Sequence, residues 1–170
     1  LSAKAAVRRR VLGLAHKGLP IYAECGGLMY LCSALHSAGT RHDMVGVFPL
    51  QAELSRKPQG HGYTLVRVAQ SNPFHPVGSE IYGHEFHYSK CIPPQGAATC
   101  ADNPCLDMVR GTGLGQAKDG LLFRNTFACY THLHALSVPS WAPHFVQAAA
   151  TFREFQHSHP ETPCPDIVAG

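Results

Sequence analysis

The sequence predicts an α/β domain with an open, mostly parallel sheet and flanking helices. Residues 3–16 carry the apolar stripe of an amphipathic helix, and Gly18 stands where a left-handed residue ends such a helix. Residues 19–23 form a short, uninterrupted apolar run, which is typical of a buried parallel strand. A second helix is predicted directly afterwards, with Leu28, Leu31, Cys32 and Leu35 on one face. Helix, strand and helix with short connections indicate an open α/β sheet.

The rest of the chain is richer in strand patterns. Strands are predicted at residues 44–50, 63–69, 81–89 and 120–130, and residues 91–115 are mostly loop by composition. Ser140 is the expected cap of a last helix. The predicted domain covers residues 1–155, and the Pro-rich segment 156–170 is expected to be a flexible tail.

Composition excludes several classes of protein. A chain of 170 residues with 45% apolar residues can bury one core. The net charge of +3 comes mostly from Arg8, Arg9 and Arg10, which are expected on a solvated helix face, so a nucleic-acid partner is not expected. The sequence has no apolar run of ~18 residues, so a membrane partner is not expected either.

The cysteines and histidines raise the question of disulfides and metals. Seven cysteines without a visible secretory signal favour reduced thiols and a cytoplasmic location. Twelve histidines could in principle supply zinc ligands, but paired CxxC knuckles are lacking, and we expect no metal.

The segment at residues 23–27, AECGG, has the pattern of a nucleophile elbow. A strand that turns straight into a helix exposes the turn residue, Cys25, and needs small neighbours such as Ala23 and Gly27. The helix N-terminus would stabilise the thiolate, and first-turn N–H groups, starting at Gly26, would bind an oxyanion. The alternative is a buried structural cysteine before a Gly-Gly turn.

A cysteine nucleophile needs a base, and His132 follows a late apolar strand at the place where an α/β fold displays such a group. His134 would point to the same side in an extended chain. Alternatively, both are loop or core histidines with local partners.

Three motifs in order resemble the cobyrinic acid a,c-diamide synthases. They are residues 20–31 (PIYAECGGLMYL), residues 83–89 (GHEFHYS), and residues 119–120 (DG) with 128–134 (ACYTHLH). The resemblance implies a class I-type glutamine amidotransferase domain, the C-terminal part of a larger synthetase in cobalamin biosynthesis. It implies that Cys25 attacks glutamine and that His132 protonates the leaving ammonia. An N-terminal synthetase domain or subunit would use ATP and Mg²⁺ to activate a tetrapyrrole carboxylate.

Departures from the family pattern limit what is expected of this chain. Ordinary class I enzymes have Glu where His134 stands, so the usual carboxylate is missing. Glu85 and His87 are candidates for binding glutamine or orienting the dyad, with a sheet-edge polar cluster as the alternative. A P-loop and the first part of the glutaminase domain are also missing, so we expect no cofactor on this chain and little activity from it alone. A free-standing cysteine hydrolase and a non-catalytic partner-binding module remain alternatives.

Overall fold

The computed structural model of the protein describes residues 3–94 and 104–170. The helices are α1 (Ala5–His16), α2 (Gly26–Leu31) and α3 (Trp141–Ser158), with a 3₁₀ turn at Ala135–Ser137. The strands are β1 (Ile21–Glu24), β2 (Cys32–Ser37), β3 (Thr40–Asp43), β4 (Phe48–Leu54), β5 (Gly60–Val68), β6 (Glu80–His87), β7 (Ser89–Ile92), β8 (Leu106–Arg110), β9 (Lys118–Asp119), β10 (Leu121–Phe123), β11 (Thr126–Cys129) and β12 (His132–Leu133).

The described strands form three sheets, ordered β1-β11-β10, β12-β6-β5-β8-β9 and β3-β2-β4-β7. Within the described part of the chain, β1 pairs in parallel with β11 and β2 with β4, while the other pairings are antiparallel. The predicted α/β class with flanking helices is confirmed, but the sheets are mixed rather than mostly parallel. The reason is local for β10 and β11: a two-residue turn joins them, and such a turn can connect only antiparallel strands.

α1 ends as the sequence predicts. Gly18 has φ +80°, its N–H donates to Ala15 O, and the Leu19 N–H donates to Leu14 O, which together close the helix end. A Cβ on Gly18 would lie 2.6 Å from the carbonyl oxygen of Cys164, so close packing also requires glycine here.

The predicted second helix is shorter than expected. α2 ends at Leu31, and Cys32 is already extended, with ψ 171°. Cys32 and Ala34 alternate as fully buried residues on a strand between β3 and β4. The i, i+3, i+4, i+7 spacing was therefore a misleading signal, because pairing on both sides of β2 outweighs helix propensity.

The C-terminal segment is not the expected flexible tail. α3 continues to Ser158, three residues beyond the predicted domain boundary. Cys164 is fully buried and its N–H donates to Lys17 O at 2.9 Å. Asn125 binds the segment at two more points, with Nδ2 3.0 Å from Pro165 O and Oδ1 2.8 Å from Ile167 N. The segment docks through backbone hydrogen bonds, which do not require a periodic pattern of apolar side chains.

β11 lies at the centre of the molecule, with both faces buried. Phe127 and Cys129 belong to one hydrophobic cluster, with β5, β6 and β8. Ala128 and Tyr130 belong to a second cluster, with α1, α2, β2 and β4. Because β11 is held from both sides, the residues that follow it are well fixed in space. None of the described helices has the length and apolarity that crossing a membrane requires.

Candidate active site

Cys25 lies in a sharp turn between β1 and α2. Its backbone has φ 45° and ψ −96°, a combination that an L-residue adopts at a cost of about 1–3 kcal/mol. The Cys25 N–H donates to Cys129 O at 2.8 Å, and its carbonyl accepts from Met29 N at 3.0 Å. The predicted strand–turn–helix elbow is confirmed, and its turn residue is the cysteine.

The small neighbours of Cys25 are required as predicted. A Cβ on Gly27 would lie 3.0 Å from the Cβ of Ala23, tighter than ordinary van der Waals contact. Gly26 has open space around its Cβ position, so packing does not demand glycine there.

The thiol form of Cys25 is favoured, contrary to the expectation that the helix N-terminus stabilises the thiolate. Burial raises the pKa of the half-buried Cys25 thiol, a backbone hydrogen bond from Gly26 lowers it, and the charge of Glu24 raises it again. The net direction is upward. α2 has only six residues, too few for a strong helix dipole. If Cys25 is to act as a nucleophile, a base must take its proton.

His132 lies at the same end of the parallel pair β1–β11 as Cys25. Cys129, three residues before His132, is the register partner of Glu24, the residue before Cys25. β12 pairs with β6, and the ring of His132 stacks on His84 with 5.0 Å between centroids. The sheet thus brings the two predicted dyad residues to one edge.

A carboxylate that the sequence reasoning missed binds His132. Oε2 of Glu24 lies 3.2 Å from Nδ1 of His132, and Oε1 accepts the N–H of Leu133 at 3.2 Å. Nδ1 is therefore the donor, since a carboxylate only accepts, and Nε2 is left to exchange a proton. The sequence shows that position 134 lacks the usual carboxylate, which indicates that another residue could replace it, but no local pattern points to Glu24.

His134 does not take an orienting position. Its side chain is exposed, and its backbone carbonyl accepts from Ser137 N and Oγ at the start of the 3₁₀ turn. A contact between the side chains of His134 and His132 is not found within the described ranges.

Glu85 and His87 form a buried network on β6. The Glu85 carboxylate accepts the N–H groups of Thr112 (2.7 Å) and Gly113 (2.9 Å), and His87 Nε2 lies 3.4 Å away from Oε2. The His87 ring stacks on Tyr130 at 3.8 Å. The Glu85 contacts hold the loop at 111–113 against the sheet, and β6 lies between β12 and β5 rather than at the sheet edge. A role in binding glutamine stays a prediction.

Asp119 is a second residue whose role the sequence did not indicate. Its fully buried carboxylate accepts the N–H groups of Gly120, Tyr130 and Thr131 at 2.9–3.0 Å. Burial raises the pKa of Asp119, and the three N–H donors oppose that rise. The bonds fix the chain between β11 and β12, directly before His132.

A metal site needs several His, Cys, Asp or Glu side chains close together. In the ranges 3–94 and 104–170, no three His, Cys, Asp or Glu side chains are grouped as a metal site. Cys100, one of the seven cysteines, lies outside the described residues.

Comparison with known proteins shows the family of this chain. The model of the CobB/CobQ-like glutamine amidotransferase domain matches residues 1–139. The chain belongs to this family. Cobyrinate a,c-diamide synthase of Magnetococcus marinus is 42% identical over 126 residues, which are 74% of this chain and 26% of that protein. The same-named protein of Methanosphaera stadtmanae is 41% identical over 130 residues, 76% of this chain and 27% of its own length.

A solved structure agrees with the fold of this CobB/CobQ-like domain. A crystal structure of a glutamine amidotransferase matches 88% of this chain and 71% of its own, with a TM-score of 0.57 and 14% identity. At that identity the likeness concerns the fold alone, and it confirms the predicted class I-type architecture. The chain spans about a quarter of the length of the two synthases above.

Proposed function

We propose that this domain is the glutaminase part of an ATP-dependent amidoligase, with Cys25 as nucleophile and His132 as base. The observation that carries the proposal is the placement of Cys25 at a strained elbow, at the same sheet edge as a histidine whose Nδ1 is occupied by a carboxylate. A nucleophile presented at a turn and a base with one ring nitrogen fixed are the parts that acyl transfer needs.

The chemistry follows from these groups. Nε2 of His132 takes the Cys25 proton as sulfur attacks the side-chain amide carbon of glutamine, and the Gly26 N–H donates a hydrogen bond to the oxyanion. The imidazolium returns the proton to the departing nitrogen, so ammonia leaves and a glutamyl thioester remains. Water, deprotonated by the same imidazole, then cleaves the thioester, which releases glutamate and restores the thiol.

The relatives of this chain support a proposal for where the ammonia is used. The synthases that this chain resembles are about three to four times as long as the matched segment, which supports a partner segment that this chain would serve. We propose an N-terminal synthetase domain or subunit that binds ATP and Mg²⁺ and presents a tetrapyrrole carboxylate for amidation. We also propose a cytoplasmic location, in keeping with the free thiols of Cys25, Cys105, Cys129 and Cys164.

Two histidine variants test the roles in a full-length synthase that carries this sequence. His132→Ala should reduce glutamate release from glutamine by about 10²–10⁴-fold, because it removes the acid–base group. His134→Ala is the matched control, and should stay within a few-fold of wild type because its side chain is exposed. A larger loss with His134→Ala would contradict the assignment of the base.

Labelling tests the nucleophile independently of turnover. Brief alkylation of the native chain followed by peptide mapping should modify Cys25 ahead of the other described cysteines, because Cys25 is half-buried and they are buried. Preferential labelling of Cys32 or Cys129 would contradict the assignment. Hydrolysis of small amides but not glutamine would favour a free-standing hydrolase.

A further inference from the structure

The Glu24 carboxylate makes a two-point contact with the strand that carries His132. One oxygen binds the imidazole Nδ1 and the other binds the next backbone N–H, that of Leu133. A carboxylate held at both oxygens fixes the ring and the backbone together. The side chains of His132 and Glu24 are 29% and 22% exposed, so water competes only partly for the contact.

The charges around Glu24 favour an ion pair with His132. Its negative charge adds to burial in raising the pKa of Tyr22, Cys25 and Cys129, so the anionic forms of these groups are disfavoured beside it. Among residues 3–94 and 104–170, His132 is the basic side chain that contacts Glu24. An imidazolium forming at His132 is therefore the charge that Glu24 stabilises.

We infer that Glu24, the residue directly before the nucleophile, is the positioning residue of the Cys25–His132 dyad. The inference rests on the proposed glutaminase function. Glu24 keeps the His132 proton on Nδ1, so that Nε2 can accept the thiol proton, and it stabilises the imidazolium that results. The carboxylate that is missing after the histidine is thus supplied from the other strand of the β1–β11 pair.

Glu24→Gln is the informative substitution, because it keeps the shape and changes the hydrogen bonding. In the wild-type structure two donors, His132 Nδ1–H and Leu133 N–H, face the two oxygens of Glu24. A glutamine amide offers one oxygen and one NH₂ group. When its oxygen accepts from Leu133, the NH₂ group faces Nδ1 and the ring proton moves to Nε2, where it blocks proton transfer from Cys25.

The test measures kcat, KM and the ring tautomer in the full-length synthase carrying this sequence. Glu24→Gln should lower the kcat of glutamate release by about 10²–10³-fold with KM changed less than about threefold. Nitrogen-15 NMR of His132 should show the proton on Nδ1 in wild type and partly on Nε2 in the variant. Glu24→Asp keeps the charge and should recover part of the lost kcat and the Nδ1–H tautomer.

Glu80→Gln is the matched control. Glu80 also forms an ion pair, with Arg67 at 2.9 Å, but lies on the solvent-exposed part of β6. This variant should keep wild-type kcat and the wild-type His132 tautomer.

The outcomes separate this inference from the proposed function. Wild-type glutamate release with an unmoved tautomer in Glu24→Gln overturns the inference and leaves the glutaminase function standing. A lower kcat with an unmoved tautomer also overturns it, since Glu24 would then act only on folding. If wild type releases no glutamate and Glu24→Gln still moves the tautomer, the proposed function fails and Glu24 remains the residue that orients His132.

Discussion

Gly83 is the residue that lets β12 lie against β6, and replacing it should displace His132, the proposed base. A Cβ at Gly83 would lie 2.3 Å from the carbonyl oxygen of His132 and 2.9 Å from Cγ2 of Thr131. Ordinary contact begins at 3.4 Å, so Gly83→Ala forces the His132 backbone to retreat by about 1 Å. A misplacement of about 1 Å can cost about 10²-fold in rate.

The assay combines activity with stability. Gly83→Ala should lower the kcat of glutamate release about 10²-fold in the full-length synthase, and overpacking should cost about 1–3 kcal/mol in the free energy of unfolding. Gly13→Ala is the control, because its Cβ meets open space in α1. It should leave kcat unchanged and stabilise the chain by about 0.5–1 kcal/mol. A folded Gly83→Ala variant with kcat within twofold of wild type would refute the reasoning.

Three further predictions test the structure by urea unfolding. Cys25→Gly should be more stable than Cys25→Ala by about 1–2 kcal/mol, because only glycine adopts φ 45° and ψ −96° without strain; equal stabilities would contradict the strained elbow. Asp119→Ala should lower the free energy of unfolding by at least about 3 kcal/mol, because it leaves three buried N–H groups without an acceptor. Its control, Asp107→Ala, breaks a partly exposed ion pair and should lower the free energy of unfolding by under about 1 kcal/mol. Asn125→Ala should lower the free energy of unfolding by about 2–3 kcal/mol and speed proteolysis of the C-terminal segment, because it removes two hydrogen bonds to that segment. An unchanged cleavage rate would show that the segment docks without the Asn125 side chain.

The sequence by itself determined the features that depend on neighbouring residues. The small pair Ala23 and Gly27 around Cys25 predicts an elbow, because a tight strand-to-helix turn leaves no room for larger side chains. Gly18 predicts the end of α1, because few other residues adopt positive φ easily. The candidate dyad was visible in the same way, since each member directly follows an apolar strand.

Only the tertiary structure decided what depends on pairing between distant segments. β2 is a strand because β3 and β4 pair with it, although its own spacing favoured a helix. The C-terminal segment docks because Asn125 and Lys17 offer hydrogen bonds to its backbone. Glu24 and His132 are 108 residues apart in the chain, and they meet because the β1–β11 register sets Glu24 beside Cys129. Side-chain patterns report local conformation, whereas register is a property of two strands together, so the partner of the histidine could not be read from either strand alone.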